Sequence, residues 1–159
     1  MYGKILVPLD GSERAEKILP YVEDIARQFK SEVLLLLVIE MVPERLGLAQ
    51  TSLPIQPETH DEIEVYERSR KYLIGIQDSL SRIGVGSSIH LLWGNVVSSI
   101  VELAAREKVY LVAMASHGRH GLASVYFGSV AAGVLHRIDR PLLLVRSMSQ
   151  FQESATGTA

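Results

Sequence analysis

Two short stretches of this chain hold residue types that could do chemistry. The first is Pro8-Leu9-Asp10-Gly11-Ser12, directly after the apolar run Ile5-Leu9. The second is Ala115-Ser116-His117-Gly118-Arg119-His120-Gly121, followed after a gap by Gly128-Ser129 at the start of a helical pattern. A glycine-bearing loop that opens a helix can present several backbone N–H groups to a phosphate, aided by the helix dipole. Glycine suits such a place because a Cβ would block close backbone approach. Ser129 adds a hydroxyl donor, and Asp10 adds a carboxylate. Each has a plainer alternative: Gly118 and Gly121 as a tight turn, Asp10 as a cap of the first helix or its turn, and Ser129 as the cap of the last helix.

Other candidates carry less. His117 and His120 stand three apart, but two loop histidines without a third ligand make a poor zinc site. Trp93, the one tryptophan, reads as packing at a strand end. The Glu62-Glu64-Glu67 and Arg68-Arg70-Lys71 groups read as the solvated face of a helix. Several enzyme signatures are absent. There is no Gly-x-x-x-x-Gly-Lys-Ser/Thr loop and no Gly-x-Ser-x-Gly elbow, and Asp10-Gly11-Ser12 stands where a dinucleotide fold needs its glycine fingerprint. Trp93-Gly94-Asn95 stands where a phosphoacceptor receiver domain would want an aspartate. No nucleophile and base pair is evident, so no catalytic residue is assigned.

The elements that must position these groups follow from periodicity. Ile5–Leu9, Val33–Ile39, Ser88–Trp93, Leu111–Ala115 and Leu142–Val145 read as strands, most of them continuous aliphatic runs of the kind buried on both faces. Ser88 and His90 interrupt the third, which is expected near a sheet edge. Between the strands lie four amphipathic patterns. Ala15, Ile18, Leu19, Val22, Ile25, Ala26 and Phe29 form one stripe, expected as a single helix capped by Ser12. A second helix, from about Pro57 to Ile83, places Ile63, Tyr66, Leu73, Ile76, Leu80 and Ile83 together and stops at Gly84. Val97, Ile100, Val101 and Ala104 mark a third, and Val130, Val134, Leu135 and Ile138 a fourth. Strict βαβαβαβαβ alternation predicts a parallel sheet with helices on both faces. In such sheets ligands bind beyond the carboxyl ends of the strands, where the strand order reverses.

At this point the residues resemble the universal stress protein family, in particular its ATP-binding branch. That branch carries glycine, two residues, glycine, nine residues, then glycine with Ser or Thr. The matching string here is Ala115-Ser116-His117-Gly118, nine residues, Gly128-Ser129, so the first motif glycine is replaced by Ala115. Val7 to Ser12, Val38-Ile39-Glu40 and Arg140-Pro141-Leu142-Leu143-Leu144-Val145 also look like the family, and the likeness spans about Lys4 to Arg146. It implies a five-stranded sheet of order 3-2-1-4-5, Rossmann-like, with its switch point between strands one and four. It further implies ATP, ADP or AMP as ligand, with Mg²⁺ or Mn²⁺ bridging the phosphates. Pro8 and Leu9 would line the adenosine cleft, Asp10 would sit near the ribose or the metal–phosphate end, and Val38 would offer backbone groups to adenine. Met114 and Ala115 would flank the ribose. Gly118, Gly128, Ser129 and Val130 would hold the phosphates. The family commonly dimerises through the last strand, so Leu142, Leu143, Leu144 and Val145 are expected to form a homodimer edge.

Composition bounds the rest. A chain of 159 residues with 47% apolar residues supports one full core, expected over residues 1–146, with 147–159 as a polar tail. Sixteen Lys and Arg against eighteen Asp and Glu leave a charge of -2, which argues against a nucleic-acid coat yet allows a small anion bound by backbone amides. Zero cysteines exclude disulfides and thiolate chemistry. No apolar run approaches the roughly 20 residues of a membrane span. Nothing resembles a signal peptide, and a cytoplasmic protein is expected. The long non-periodic stretch Met41–Gln56 is expected to be a lid or a mobile loop. Three functions stand open: a nucleotide-binding regulatory protein, an interaction module that lost its ligand, and a slow ATPase.

Overall fold

The computed structural model describes residues 3–40, 57, 59–117 and 128–147. The expected lid Met41–Gln56, the motif glycine Gly118 and, of the expected tail 147–159, residues 148–159 lie outside the described residues, whereas Ser147 ends the last strand. Five strands, β1 (Lys4–Leu9), β2 (Glu32–Ile39), β3 (Ser87–Trp93), β4 (Leu111–His117) and β5 (Leu142–Ser147), form one sheet in the order β3-β2-β1-β4-β5. All pairings are parallel. The expected order 3-2-1-4-5 is thus the observed one.

Helices cover both faces, which is why the strands read as continuous apolar runs. Ile5, Val7 and Leu9 of β1 and Val33, Leu35 and Leu37 of β2 face one layer, made by α2 (Leu19–Phe29) and α3 (His60–Arg82). Leu6, Leu34 and Leu36 face the other layer, where α4 (Val96–Arg106) supplies Ile100, Leu103 and Ala104, and α5 (Ser129–Arg137) supplies Ala131 and Val134. Period-two alternation persists along each strand; it is hidden because both faces are apolar. Arg140 ties β5 to this second layer, its Nη1 donating to the carbonyls of Ala104 at 2.6 Å and Val109 at 3.2 Å.

The first helical stripe is divided. A single turn, α1 (Glu13–Glu16), precedes α2, and the expected continuous helix is corrected at Lys17–Ile18. Pro20 is the cause, since it has no N–H to donate and its ring crowds the carbonyl four residues earlier, that of Glu16. Proline fits instead in the first turn of the new helix. The stripe itself survives, with Ile18, Val22 and Ala26 buried and Phe29 exposed at the end. Ser12 is the cap expected, its Oγ accepting from Ala15 N at 3.1 Å.

The second helix starts later than the pattern implied. Thr59 and Glu62 form a capping box, each side chain accepting from the other's backbone N–H, so α3 opens at His60. Its end is as expected: Gly84 turns left-handed at φ +78°, donating to Ser81, while Val85 donates to Leu80. That pair of bonds is a Schellman closure. Leu73 and Leu80 are buried, whereas Ile63 and Ile83 at the two ends are exposed.

β3 lies at a sheet edge, as its Ser88 and His90 implied. Ser88 Oγ and His90 Nε2 are 3.4 Å apart. Burial holds the His90 pKa below its ordinary 6.5; Arg106 and Lys4 push the same way, while Glu107 and Glu32 oppose. The unfolded chain therefore takes up this proton first as pH falls, and the stability tied to neutral His90 is lost below about pH 6.5. The urea midpoint should drop between pH 7.5 and 5.5, and His90→Gln should flatten part of that slope. An unchanged slope in the variant would assign it to other groups.

Where α5 meets α4, Gly133 matters. A Cβ there would lie 2.8 Å from Val97 Cγ2 and 3.2 Å from Cγ1. Val97 is β-branched and stiff within its helix, so it yields poorly. Gly133→Ala would gain about 1 kcal/mol of helix propensity, against about 1 to 3 kcal/mol for overpacking. We expect a net loss of about 1 kcal/mol in urea denaturation, relieved when Val97→Ala is added. A more stable single variant would show that the two helices can part without cost.

Candidate functional site

Strands β1 and β4 are neighbours, and the chain leaves them in opposite directions across the sheet, so a crevice must open beyond their carboxyl ends. A cavity of about 270 Å³ lies there. β1 and the turn after it contribute Pro8, Leu9, Asp10 and Ala15, and β2 contributes Leu36, Val38 and Glu40. β4 adds Met114, Ala115 and Ser116. The first turn of α4 adds Val96, and the segment opening α5 adds Gly128, Ser129, Val130 and Ala131. All the residues that the resemblance assigns to the nucleotide, apart from Gly118 outside the described residues, border this one cavity.

The opening of α5 differs from the reading in which Ser129 caps it. Gly128 is the N-cap, with no side-chain cap bond, and Ser129 is the first helical residue. A serine at that position cannot fold back as a cap, because the capping oxygen must come from the residue before the helix. The Gly128 carbonyl accepts from Ala132 N at 2.9 Å. The N–H groups of the first helical residues have no partner inside the helix, and they carry the positive end of its dipole. By contrast, Ser12, Thr59 and Asn95 cap α1, α3 and α4 through their side chains.

Asp10 is held by its own turn. Its Oδ1 accepts from Ser12 N at 2.9 Å and from Ser12 Oγ, and Ser12 Oγ in turn accepts from Ala15 N. Gly11 between them takes φ +82°, a conformation that L side chains rarely adopt. Asp10 thus does cap its turn, and it borders the cavity as well; Oδ2 makes no hydrogen bond to a described residue. The described lining holds two carboxylates, Asp10 and Glu40, and no Lys or Arg. Among the described residues no group of three His, Asp or Glu could hold a metal ion. Trp93 is buried at the end of β3, consistent with packing, and does not border the cavity.

Ala15, Leu36, Glu40, Val96, Ser116 and Ala131 border the cavity without having been singled out in the sequence. A signal existed for Glu40, which stands at the carboxyl end of β2, and for Ser116, inside the glycine motif. Ala15 and Val96 carried none, since they arrive through the first turns of helices whose positions depend on the crossovers.

An open parallel sheet of order 3-2-1-4-5, with helices on both faces and a cavity at its switch point, defines a small doubly wound α/β domain. The universal stress protein family model matches residues 1–146, and the chain belongs to that family. Universal stress protein MJ0577 of Methanocaldococcus jannaschii is 30% identical over 156 residues, covering 92% of this chain and 96% of the relative. A solved structure of MJ0577 superposes with a TM-score of 0.73 at 28% identity, covering 94% of this chain and 99% of that one. Two more distant structures share the fold. One is a universal stress protein from Archaeoglobus fulgidus in complex with dAMP, at TM-score 0.60 and 21% identity, covering 91% of this chain and 96% of that one. The other is a universal stress protein in complex with cAMP, at TM-score 0.61 and 20% identity, covering 92% and 98%.

Proposed function

We propose that this protein binds an adenine nucleotide in the switch-point cavity and acts as a nucleotide-dependent regulator in the stress response. The observation that carries the reading is the α5 N-terminus, without a side-chain cap at Gly128 and bordering the cavity, since N–H groups with no partner inside the helix and the helix dipole suit a phosphate without any basic side chain. Complexes of more distant family members with dAMP and cAMP support the same ligand class. In this reading Gly128, Ser129 and Val130, with Gly118, take the phosphates. Val38 offers its backbone to adenine; Pro8, Leu9, Met114 and Ala115 enclose the adenosine; and Asp10 lies toward the ribose. A Mg²⁺ or Mn²⁺ ion would arrive with the nucleotide, held by phosphate oxygens and Asp10, because the described lining has too few carboxylates for an all-protein site.

The nucleotide state then biases the Met41–Gln56 segment or an oligomer surface. β5 forms a sheet edge in which Leu142 to Val145 are only half-buried, and this edge is the proposed homodimer contact. The proposed setting is the cytoplasm, and no helix among the described residues is long and apolar enough to cross a membrane. Isothermal titration with ATP, ADP and AMP, with and without Mg²⁺, tests the binding, and sedimentation tests the dimer. Absence of heat with all three nucleotides would overturn the reading. One observation favours a second reading, a dimeric interaction module without nucleotide. Ala115 puts a methyl group on the cavity wall where the family motif has glycine. Ala115→Gly separates the two: newly gained binding would make the native chain the interaction module. Hydrolysis is proposed to be slow at most; ATP turnover that vanishes in Asp10→Ala would make the chain an ATPase instead.

A further inference from the structure

Ser116 lies near the end of β4, only 4% exposed, and it borders the switch-point cavity. Its hydroxyl makes no hydrogen bond to a described residue. A buried hydroxyl without a partner costs free energy that an alanine in the same place would not. Such groups are uncommon in folded proteins and call for a reason.

The register of the sheet supplies one. Val112 and Met114 of β4 lie in the core layer of α4 and α5, while Ala113 between them lies in the other layer. Side chains alternate along a strand, so Ser116 faces the α4–α5 side, as Met114 does. The opening residues of α5, Gly128, Ser129 and Val130, border the same cavity from that side. β1 and β4 pair at Ile5–Leu111 and Leu6–Val112, and among the described residues they form no pair further along. The same offset, continued to the strand ends, sets Asp10 level with Ser116. Ser116 therefore has Asp10 across the crevice and the α5 N-terminus on its own side.

That position narrows what the hydroxyl can hold. The first N–H groups of α5 only donate, so a ligand atom shared between them and the Ser116 hydroxyl must accept from both. An anionic oxygen is such an atom, and the described lining holds no Lys or Arg to compete for it.

We propose that the Ser116 hydroxyl donates to the first phosphate of the bound nucleotide, the one joined to the ribose. This rests on the nucleotide reading above, in which Asp10 lies toward the ribose and α5 takes the phosphates. Ser116 stands between the two, where the phosphates begin. Its hydroxyl gains a partner when the ligand binds, so its contribution is affinity, shared equally by AMP, ADP and ATP. A hydrogen bond to a charged acceptor supports a change of about 10-fold or somewhat more.

The experiment titrates wild type and Ser116→Ala with adenosine, AMP, ADP and ATP, and unfolds both thermally without nucleotide. The variant should unfold at the wild-type temperature or above it, because an unpaired polar atom is gone. AMP, ADP and ATP should each bind about 10-fold more weakly, by one common factor, while adenosine binds as before. An equal loss for adenosine would move the hydroxyl to the ribose. A loss confined to ADP and ATP would move it to the outer phosphates. Either result, unchanged affinity for all four ligands, or a lower unfolding temperature would overturn the assignment while leaving the nucleotide reading intact. Wild type that binds no nucleotide would overturn both.

Discussion

Replacing Ser129 by Asp should cut ATP affinity about 100-fold while leaving the fold as stable as before or slightly more so. Ser129 is the first residue of α5 and borders the cavity. An acidic side chain in the first turn of a helix is favourable by about 0.3 to 1 kcal/mol. Against a phosphate the same charge is repulsive: two like charges about 4 Å apart cost about 4 kcal/mol at a surface-like dielectric, and solvent exposure of Ser129 reduces this. At about 1.4 kcal/mol per factor of ten, a two-decade loss remains. Ser129→Ala, which removes only a hydroxyl, should lose about 3- to 10-fold. Adenosine, with no phosphate, should bind the Asp variant nearly as well as wild type. Titrations that show equal losses for ATP and adenosine would remove α5 from the phosphate role.

Leu35→Ala should do the reverse. Leu35 is fully buried between Val7 and Ile89 of the adjacent strands and faces the α2–α3 layer, away from most of the cavity. A large-to-small change at such a site costs about 2 to 5 kcal/mol, through lost burial and the hole left behind. Domains of this kind are stable by only about 5 to 15 kcal/mol, so the urea midpoint should fall steeply at unchanged slope. The fraction still folded should bind ligand with native affinity. Ile63→Ala, at a site 45% exposed, should change stability by less than about 0.5 kcal/mol. A small effect at Leu35 would mean that the α2–α3 layer closes over the gap.

These two variants also mark what was legible before folding. Leu35 stands in an unbroken aliphatic run, and a run of that kind is buried wherever the sheet places it. Ile63, in contrast, shares a helical stripe with Leu73 and Leu80 but is exposed in the first turn of α3, and periodicity says nothing of where a partner ends. Pro20 stands inside the first stripe, and apolar spacing alone does not show the break that its missing N–H dictates. For Ser129 the two readings, phosphate donor or helix cap, stay open in the sequence, because one residue of helix boundary decides whether a serine caps a helix or begins it.

By itself the sequence determined the alternation of strands and helices, the caps at Ser12 and Gly84, and the motif residues on either side of the gap before Gly128, since all of these depend on local periodicity and local hydrogen bonding. Only the tertiary structure decided that Glu40 and Val96 share a wall with Asp10, and that the opening of α5 borders the same cavity. Those relations join residues far apart in the chain. They exist only once right-handed crossovers lay the helices on their faces and bring the ends of β1 and β4 side by side.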